Sequence, residues 1–128
     1  MHQPDFSYMI SPKMFERFVM PDLDAVFSAM DHAFYHLDGK GQIPHLDMLL
    51  SIENLCGIQW IPGGGQPPPE KWMDLLKRIR DAGKFCQVYV SAKGARSIVR
   101  ELVGKCFVLY VVNPFEKLME IDSELAAL

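Results

Sequence analysis

Two residues with side chains suited to acid/base or metal chemistry, His36 and Asp38, stand two positions apart at the end of a short apolar run. Residues two apart on a β-strand project to the same side. An imidazole beside a carboxylate suits a general acid/base pair or a pair of metal ligands. A structural role is the alternative, with His36 hydrogen-bonded in the core and Asp38 starting the turn at Gly39.

Three further polar residues, Gln59, Gln87 and Tyr89, interrupt runs that are otherwise apolar. A buried polar group needs a hydrogen-bond partner. These side chains therefore line the mouth of a pocket or bond to one another across strands. In the first case they would orient a polar ligand near His36 and Asp38.

A glycine-rich loop at residues 63–65 follows the second apolar run and leads into three prolines, Pro67, Pro68 and Pro69. Glycine-rich loops before helices can bind phosphate through backbone N–H groups. Proline has no N–H group, so the prolines weaken this interpretation. A rigid rim around a pocket is the interpretation we prefer, and an anion-binding loop is the alternative.

Four short apolar runs, separated by stretches with helical periodicity, organise the chain. They comprise residues 33–37, 57–61, 85–90 and 106–112. Such runs are typical of parallel strands that are covered by helices. In parallel β/α folds, ligands bind at the carboxyl ends of the strands, which is where His36 and Asp38 lie.

Cap and turn residues predict where several helices begin and end. Ser11 and Pro12 predict one helix start, and Ser91 predicts another. Gly83 predicts a helix end. Pro21 predicts a break or kink in the first helical stretch, and we prefer two helices that meet at an elbow.

The composition limits the architecture and the partners. A chain of 128 residues with net charge −3 predicts one domain over residues 1–128 and gives no electrostatic basis for nucleic-acid binding. No segment approaches the roughly 18 apolar residues of a membrane span. Three cysteines without C-x-x-C spacing predict reduced thiols. We therefore expect a cytoplasmic protein with no nucleic-acid and no membrane partner.

Several stretches, in this order and spacing, resemble the carboxyl-terminal half of the uroporphyrinogen decarboxylase superfamily, which includes corrinoid-dependent methyltransferases. The resemblance covers roughly residues 7–112. The matching stretches are residues 11–15 continuing to 20–21, His36-Leu37-Asp38-Gly39, Gly57-Ile58-Gln59-Trp60, and Gln87 in the third run.

The resemblance implies an α/β fold that is half of a (β/α)8 TIM-type barrel, with four parallel strands and flanking helices. Because the first half of that barrel is absent, it implies a chain that is incomplete and inactive alone. Four strands cut from a barrel leave unpaired edges and an exposed apolar face, to which we assign Ile58 and Phe85. We therefore expect a homodimer, or a second chain that completes the barrel.

The resemblance also implies an activity: a decarboxylase (a lyase) of porphyrin biosynthesis or a cobalamin-dependent methyltransferase acting on a small-molecule ligand. We assign His36 and Asp38 as catalytic residues. The residues expected to bind substrate are Gln59, Trp60, Gln87 and Tyr89. Some methyltransferases of this superfamily bind zinc through a His-x-Cys motif and a later cysteine. This chain has Asp38 and Asn113 at those positions, so we expect neither zinc nor another cofactor.

Two non-catalytic interpretations remain open. One is a truncated product that folds by self-association and catalyses no reaction. The other is a small flavodoxin-like α/β binding domain that meets an anionic ligand through the loop at residues 63–65.

Overall fold

The computed structural model describes residues 1–102, 106–111 and 115–128, and within them a four-stranded parallel sheet. The strands are β1 (Ala33–Asp38), β2 (Leu55–Ile61), β3 (Phe85–Val90) and β4 (Phe107–Val111). All three strand pairings are parallel. The predicted parallel α/β sheet is confirmed. Asn113 lies outside the described residues.

The helices lie between and after the strands. They are α1 (Pro12–Met14), α2 (Met20–Ser28), α3 (Leu46–Ser51), α4 (Met73–Asp81), α5 (Ala92–Leu102) and α6 (Phe115–Ala126). Short 3₁₀ segments occupy Asp5–Met9, Lys40–His45 and Pro69–Lys71. None of the helices in the described ranges is long and apolar enough to cross a bilayer.

The predicted caps are confirmed, but Pro21 does not break the helix. The Ser11 hydroxyl accepts the Met14 N–H at 3.3 Å, and the Ser91 hydroxyl accepts the Gly94 N–H at 3.1 Å. The backbone stays helical from α1 to α2 through a π-helical segment, Phe15–Val19. Such a wider turn lets the helix pass a residue that has no N–H group without a break.

One face of the sheet, here called the covered face, packs against the helices. It carries Tyr35, Leu37, Ile58, Trp60, Cys86 and Val88, all fully buried. They share one core with helix residues that include Leu23, Phe27, Leu76, Ile79 and Ile98. The opposite face, here called the open face, carries the alternate residues of each strand. These are Phe34, His36, Asp38, Gly57, Gln59, Ile61, Phe85, Gln87, Tyr89, Val108 and Tyr110.

The strand order β1-β2-β3-β4 explains why the helices share one side. Each strand lies beside its predecessor in sequence. Parallel crossovers are almost always right-handed, so successive crossovers in one direction place every connecting helix on the same face. In a flavodoxin-like sheet the first strand lies between the second and the third. The flavodoxin-like arrangement is therefore not the one observed.

The open face leaves large apolar side chains in contact with solvent. Phe85, on the inner strand β3, is 48% exposed, and Val108 on β4 is 39% exposed. Our assignment of Ile58 to this exposed face is wrong, because Ile58 points into the core. Gly57 allows the Phe34 ring to lie across β2, since a Cβ at position 57 would come within 2.4 Å of that ring.

The two edges of the sheet differ. At β1, the His2 N–H donates to the Phe34 carbonyl at 2.9 Å, and the His36 N–H donates to the His2 carbonyl at 3.0 Å. This contact is a parallel β-bridge between His2 and Tyr35. At β4, no strand among the described residues pairs with the outer side. One edge is thus partly occupied, and the other is a free edge.

Candidate functional site

Strand register brings three of the predicted site residues into one row across the open face. His36 lies opposite Gln59, and Gln59 lies opposite Gln87. We call these three residues the polar row. Two positions further along their strands, at the carboxyl end of the sheet, stand Asp38 and Tyr89. The period of two that predicted a common side for His36 and Asp38 is confirmed.

Within the polar row, His36 and Gln59 are hydrogen-bonded to each other through Nδ1 and Oε1. A carbonyl oxygen only accepts, so in this arrangement Nδ1–H of His36 donates. Because Nδ1 is engaged with Gln59, Nε2 is the ring nitrogen left to exchange a proton with a ligand. Gln59 is 5% exposed, so this bond satisfies an otherwise costly buried amide oxygen.

A cleft of about 470 Å³, which we call the mouth cleft, opens at the carboxyl ends of β1, β2 and β3. It is lined by Asp38, Ile61, Pro62, Gly63, Gly64, Gln66, Pro67, Pro68, Pro69 and Tyr89. Asp38 and Tyr89 therefore meet in one cavity. His36, Gln59 and Gln87 do not line it, since they lie one row deeper on the same face.

A second cleft of about 230 Å³ adjoins the first and shares Asp38 with it. Lys40 and Tyr8 line this second cleft. The Tyr8 ring covers Gly41, where an added Cβ would come within 2.3 Å of it. The 3₁₀ segment Asp5–Met9 thus forms one border of the site, which the sequence did not indicate.

Trp60 does not join the other predicted substrate-binding residues. Its side chain is fully buried on the covered face, the side opposite to Gln59. It packs edge-on against Trp72, with ring centroids 5.3 Å apart. The assignment of Trp60 to substrate binding is therefore wrong, and its place is in the core.

The proline-rich loop forms the rim of the mouth cleft. The indole N–H of Trp72 donates to the Pro67 carbonyl at 3.0 Å and holds the loop against the start of α4. Gly63 and Gly65 adopt φ values of +94° and +74°, which glycine adopts without strain. This geometry agrees with the predicted rigid rim.

The Tyr89 ring packs against a second aromatic ring on the side away from the mouth cleft. It stacks on Tyr110 of the neighbouring strand β4, with centroids 5.0 Å apart and planes inclined by 29°. Because β4 lies on the far side of β3 from β2, Tyr89 stands between Tyr110 and the cleft. The pair fixes an aromatic wall at this edge of the site.

A buried polar cluster beneath β1 fixes the position of the Asp5–Met9 segment. The Tyr35 hydroxyl donates to Gln42 Oε1 at 2.9 Å. His45 Nε2 lies 2.8 Å from the Ser7 carbonyl, and the His45 ring stacks on Phe15. Ser7 and His45 are 38 positions apart, so only the tertiary fold brings them together.

Burial changes the acidity of two groups on the covered face. Desolvation raises the pKa of Tyr35 to about 12, outweighing the opposite effect of the neighbouring Ser7 side chain. Desolvation also raises the pKa of the Cys86 thiol to about 12. Both groups are therefore neutral in the folded protein over the physiological pH range.

These raised pKa values predict that the fold loses stability in alkali. The stability due to each neutral group is fully present below its unfolded pKa, about 9 for Cys86 and 10 for Tyr35, and is lost as pH rises toward 12. We expect denaturant titrations at pH 8, 10 and 11 to show a falling free energy of unfolding. Tyr35→Phe should remove part of the loss above pH 10, and it should cost about 1–3 kcal/mol at pH 8 because Gln42 loses its donor. An equally steep alkaline loss in Tyr35→Phe would contradict this assignment.

No group of three His, Cys, Asp or Glu side chains within residues 1–102, 106–111 and 115–128 is placed to hold a metal ion. A groove of about 870 Å³ lies between β4 and α6, away from the polar row. Its lining is mostly apolar, with Leu109, Leu118 and Ile121 among its residues. We place the candidate site at the mouth cleft, because Asp38 and Tyr89 line it and the polar row lies one row deeper on the same face.

The fold and the site together define a class: a parallel α/β sheet wound in one direction, with helices on one face and a ligand-sized cleft at the carboxyl ends of its strands. Comparisons with protein-family models, with curated proteins and with solved structures found no significant match for this chain.

Proposed function

We propose that this chain is half of a (β/α)8 barrel related to the uroporphyrinogen decarboxylase superfamily. In this proposal a second set of four strands, from a second copy or from another chain, covers the open face. The completed barrel is a lyase or a methyltransferase acting on a small molecule. The proposal rests on the sequence resemblance described above and on one structural observation, the open face with its polar row.

That observation supports a barrel because a barrel interior has the same construction. In (β/α)8 barrels the strands follow one another in order, the helices lie outside, and alternate side chains fill the interior. Here the strand order is sequential and the polar row lies on the face without helices. The parallel bridge made by His2 at the β1 edge has the orientation that a further barrel strand would have.

The same geometry supports a chemical role for His36. Gln59 orients its ring, and Nε2 is the nitrogen left to exchange a proton with a ligand. Asp38 stands two residues further on, in the mouth cleft, where it can bind the ligand or support the charge on the imidazole. Gln87 and Tyr89 complete the polar and aromatic contacts of the site.

The proposal is tested by turnover assays with two substrates, uroporphyrinogen for decarboxylation and methylcobalamin with a thiol for methyl transfer. We expect one activity in the assembled form, and a loss of about 10²- to 10⁴-fold in His36→Ala. His32→Ala is the matched control, since His32 is exposed four positions earlier. Equal activity in His36→Ala and the wild type, or neither activity in the assembled form, would contradict the proposal.

A further inference from the structure

We infer that the second cleft, which Asp38 and Lys40 line, binds a small zwitterion: a ligand with a carboxylate and a protonated amine a few atoms apart, as in an α-amino acid. The inference goes beyond the proposed function and does not require a completed barrel, because every group that it uses belongs to this chain. The carboxylate of such a ligand agrees with the decarboxylase activity in the proposed function.

Asp38 and Lys40 bring opposite charges to the border of one cleft. Among the described residues neither side chain makes an ion pair, with the other or with a third residue. Lys40 is exposed and Asp38 is partly buried at the end of β1. Both charges are therefore available to a ligand.

Two opposite charges held apart in this way favour a ligand that carries the complementary pair. A simple cation is attracted by Asp38 and repelled by Lys40, and a simple anion meets the reverse. A zwitterion can place its amine toward Asp38 and its carboxylate toward Lys40, so that both interactions are attractive. Solvent screens the field of the exposed Lys40, so we expect each charge to make a modest contribution.

The glycine loop adds hydrogen-bond donors for the carboxylate. Gly63 and Gly64 line the cleft, and within the described part of the chain neither backbone N–H donates to another backbone carbonyl. A Cβ added at Gly64 would have no atom within 4 Å, so the loop faces open space at this point. A ligand can therefore approach these N–H groups, which bind anions in the same way as other glycine-rich loops.

The size and position of the second cleft limit the ligand. Its volume of about 230 Å³ is below the roughly 300–1,000 Å³ of pockets that hold drug-sized ligands. It shares part of its lining with the mouth cleft, namely Asp38, Pro62, Gly63, Gly64 and Gln66. The charged part of the ligand is therefore small, and a side chain on it can extend past Asp38 into the mouth cleft, which Tyr89 lines.

Three probes with one carbon skeleton test the inference near neutral pH: L-phenylalanine with both charges, phenethylamine with the amine alone and 3-phenylpropionate with the carboxylate alone. Binding is followed by the amide NMR signals of Gly63 and Gly64, which line both clefts. We expect L-phenylalanine to saturate these shifts at roughly millimolar concentration and to bind about fivefold more tightly than either analogue. Either analogue binding as tightly as L-phenylalanine, or no shift with any of the three, would overturn the inference.

Two variants assign the two charges separately. In Lys40→Gln, L-phenylalanine should bind no more tightly than phenethylamine, and in Asp38→Asn it should bind no more tightly than 3-phenylpropionate. Lys13→Gln and Asp24→Asn remove the same charges from exposed helical positions and should keep the fivefold preference. A preference over both analogues that persists in Lys40→Gln or Asp38→Asn would overturn the inference. Should Asp38→Asn not fold, the exposed Lys40→Gln and the wild-type probe series still decide it.

This test fails separately from the proposed function. A monomeric chain without turnover that prefers L-phenylalanine would contradict the half-barrel and leave the zwitterion site standing. An assembled and active chain that binds either analogue as tightly as L-phenylalanine would contradict the zwitterion site alone.

Discussion

Replacing Trp60 with alanine is expected to lower the free energy of unfolding by about 3–5 kcal/mol. The side chain is fully buried on the covered face, so its removal leaves a cavity that its neighbours fill only in part. It also supports Trp72, which holds the proline-rich rim through Pro67. Chemical denaturation followed by circular dichroism measures the loss. For a domain of ordinary stability this single change removes a large share of the total.

Two further variants separate a core role for Trp60 from a ligand-binding role. Trp60→Phe should cost less than the alanine change, because the indole N–H has no hydrogen-bond partner to lose. Phe18→Ala, at an exposed helical position, should change stability by less than about 1 kcal/mol. Unchanged stability in Trp60→Ala, with weakened binding of a small molecule, would restore the original assignment.

Placing a charge on the open face is expected to disrupt assembly. Val108→Glu should raise the dissociation constant of the homodimer by roughly 100-fold or more, because assembly would bury an unpaired carboxylate. Val108 is 39% exposed on β4 and belongs to the face that the proposal covers with a second set of strands. Sedimentation velocity over a range of concentrations measures the change.

The matched control for this variant is Met30→Glu. Met30 is 37% exposed, close to the value for Val108, and it follows α2 rather than lying on the sheet. It should leave the dissociation constant unchanged. An equal effect of both substitutions would mean that net charge, and not the open face, controls association.

Most of the fold was predictable because its signals are local. Short apolar runs predicted the four strands within two residues of their observed bounds, and Ser11, Gly83 and Ser91 act at helix ends as their side chains or flexibility predict. Pro21 was misread because a helix can widen by one π turn before a proline, and no local residue signals that choice.

The candidate site was predictable where strand parity alone decides which side a residue faces. Parity places His36 and Asp38 together, and the register of neighbouring strands adds Gln59 and Gln87. Trp60 follows Gln59 directly, so the two cannot share a face of one strand. The same rule separates Ile58 from Gln59, and the register that pairs Phe85 with Gly57 places Phe85 on the open face. Both errors concern residues of β2 that neighbour Gln59 in sequence.

The remaining features of the site depend on contacts between distant parts of the chain. Ser7 meets His45 across 38 positions, and that contact brings Tyr8 to the border of the cleft. The distance between the polar row and the mouth cleft depends on how the loops fold over the ends of the strands. Neither hydrophobic periodicity nor helix-cap residues predict such a distance.

Sedimentation equilibrium of the purified chain at micromolar concentration tests whether a second set of four strands covers the open face. We expect a homodimer, with twice the chain mass of 14.6 kDa, or a monomer whose open face binds an apolar-surface dye until a completing chain is added. An interface above about 1,000 Å² is expected in either assembly. A stable 14.6 kDa monomer that binds no such dye would contradict the half-barrel and the assembly together.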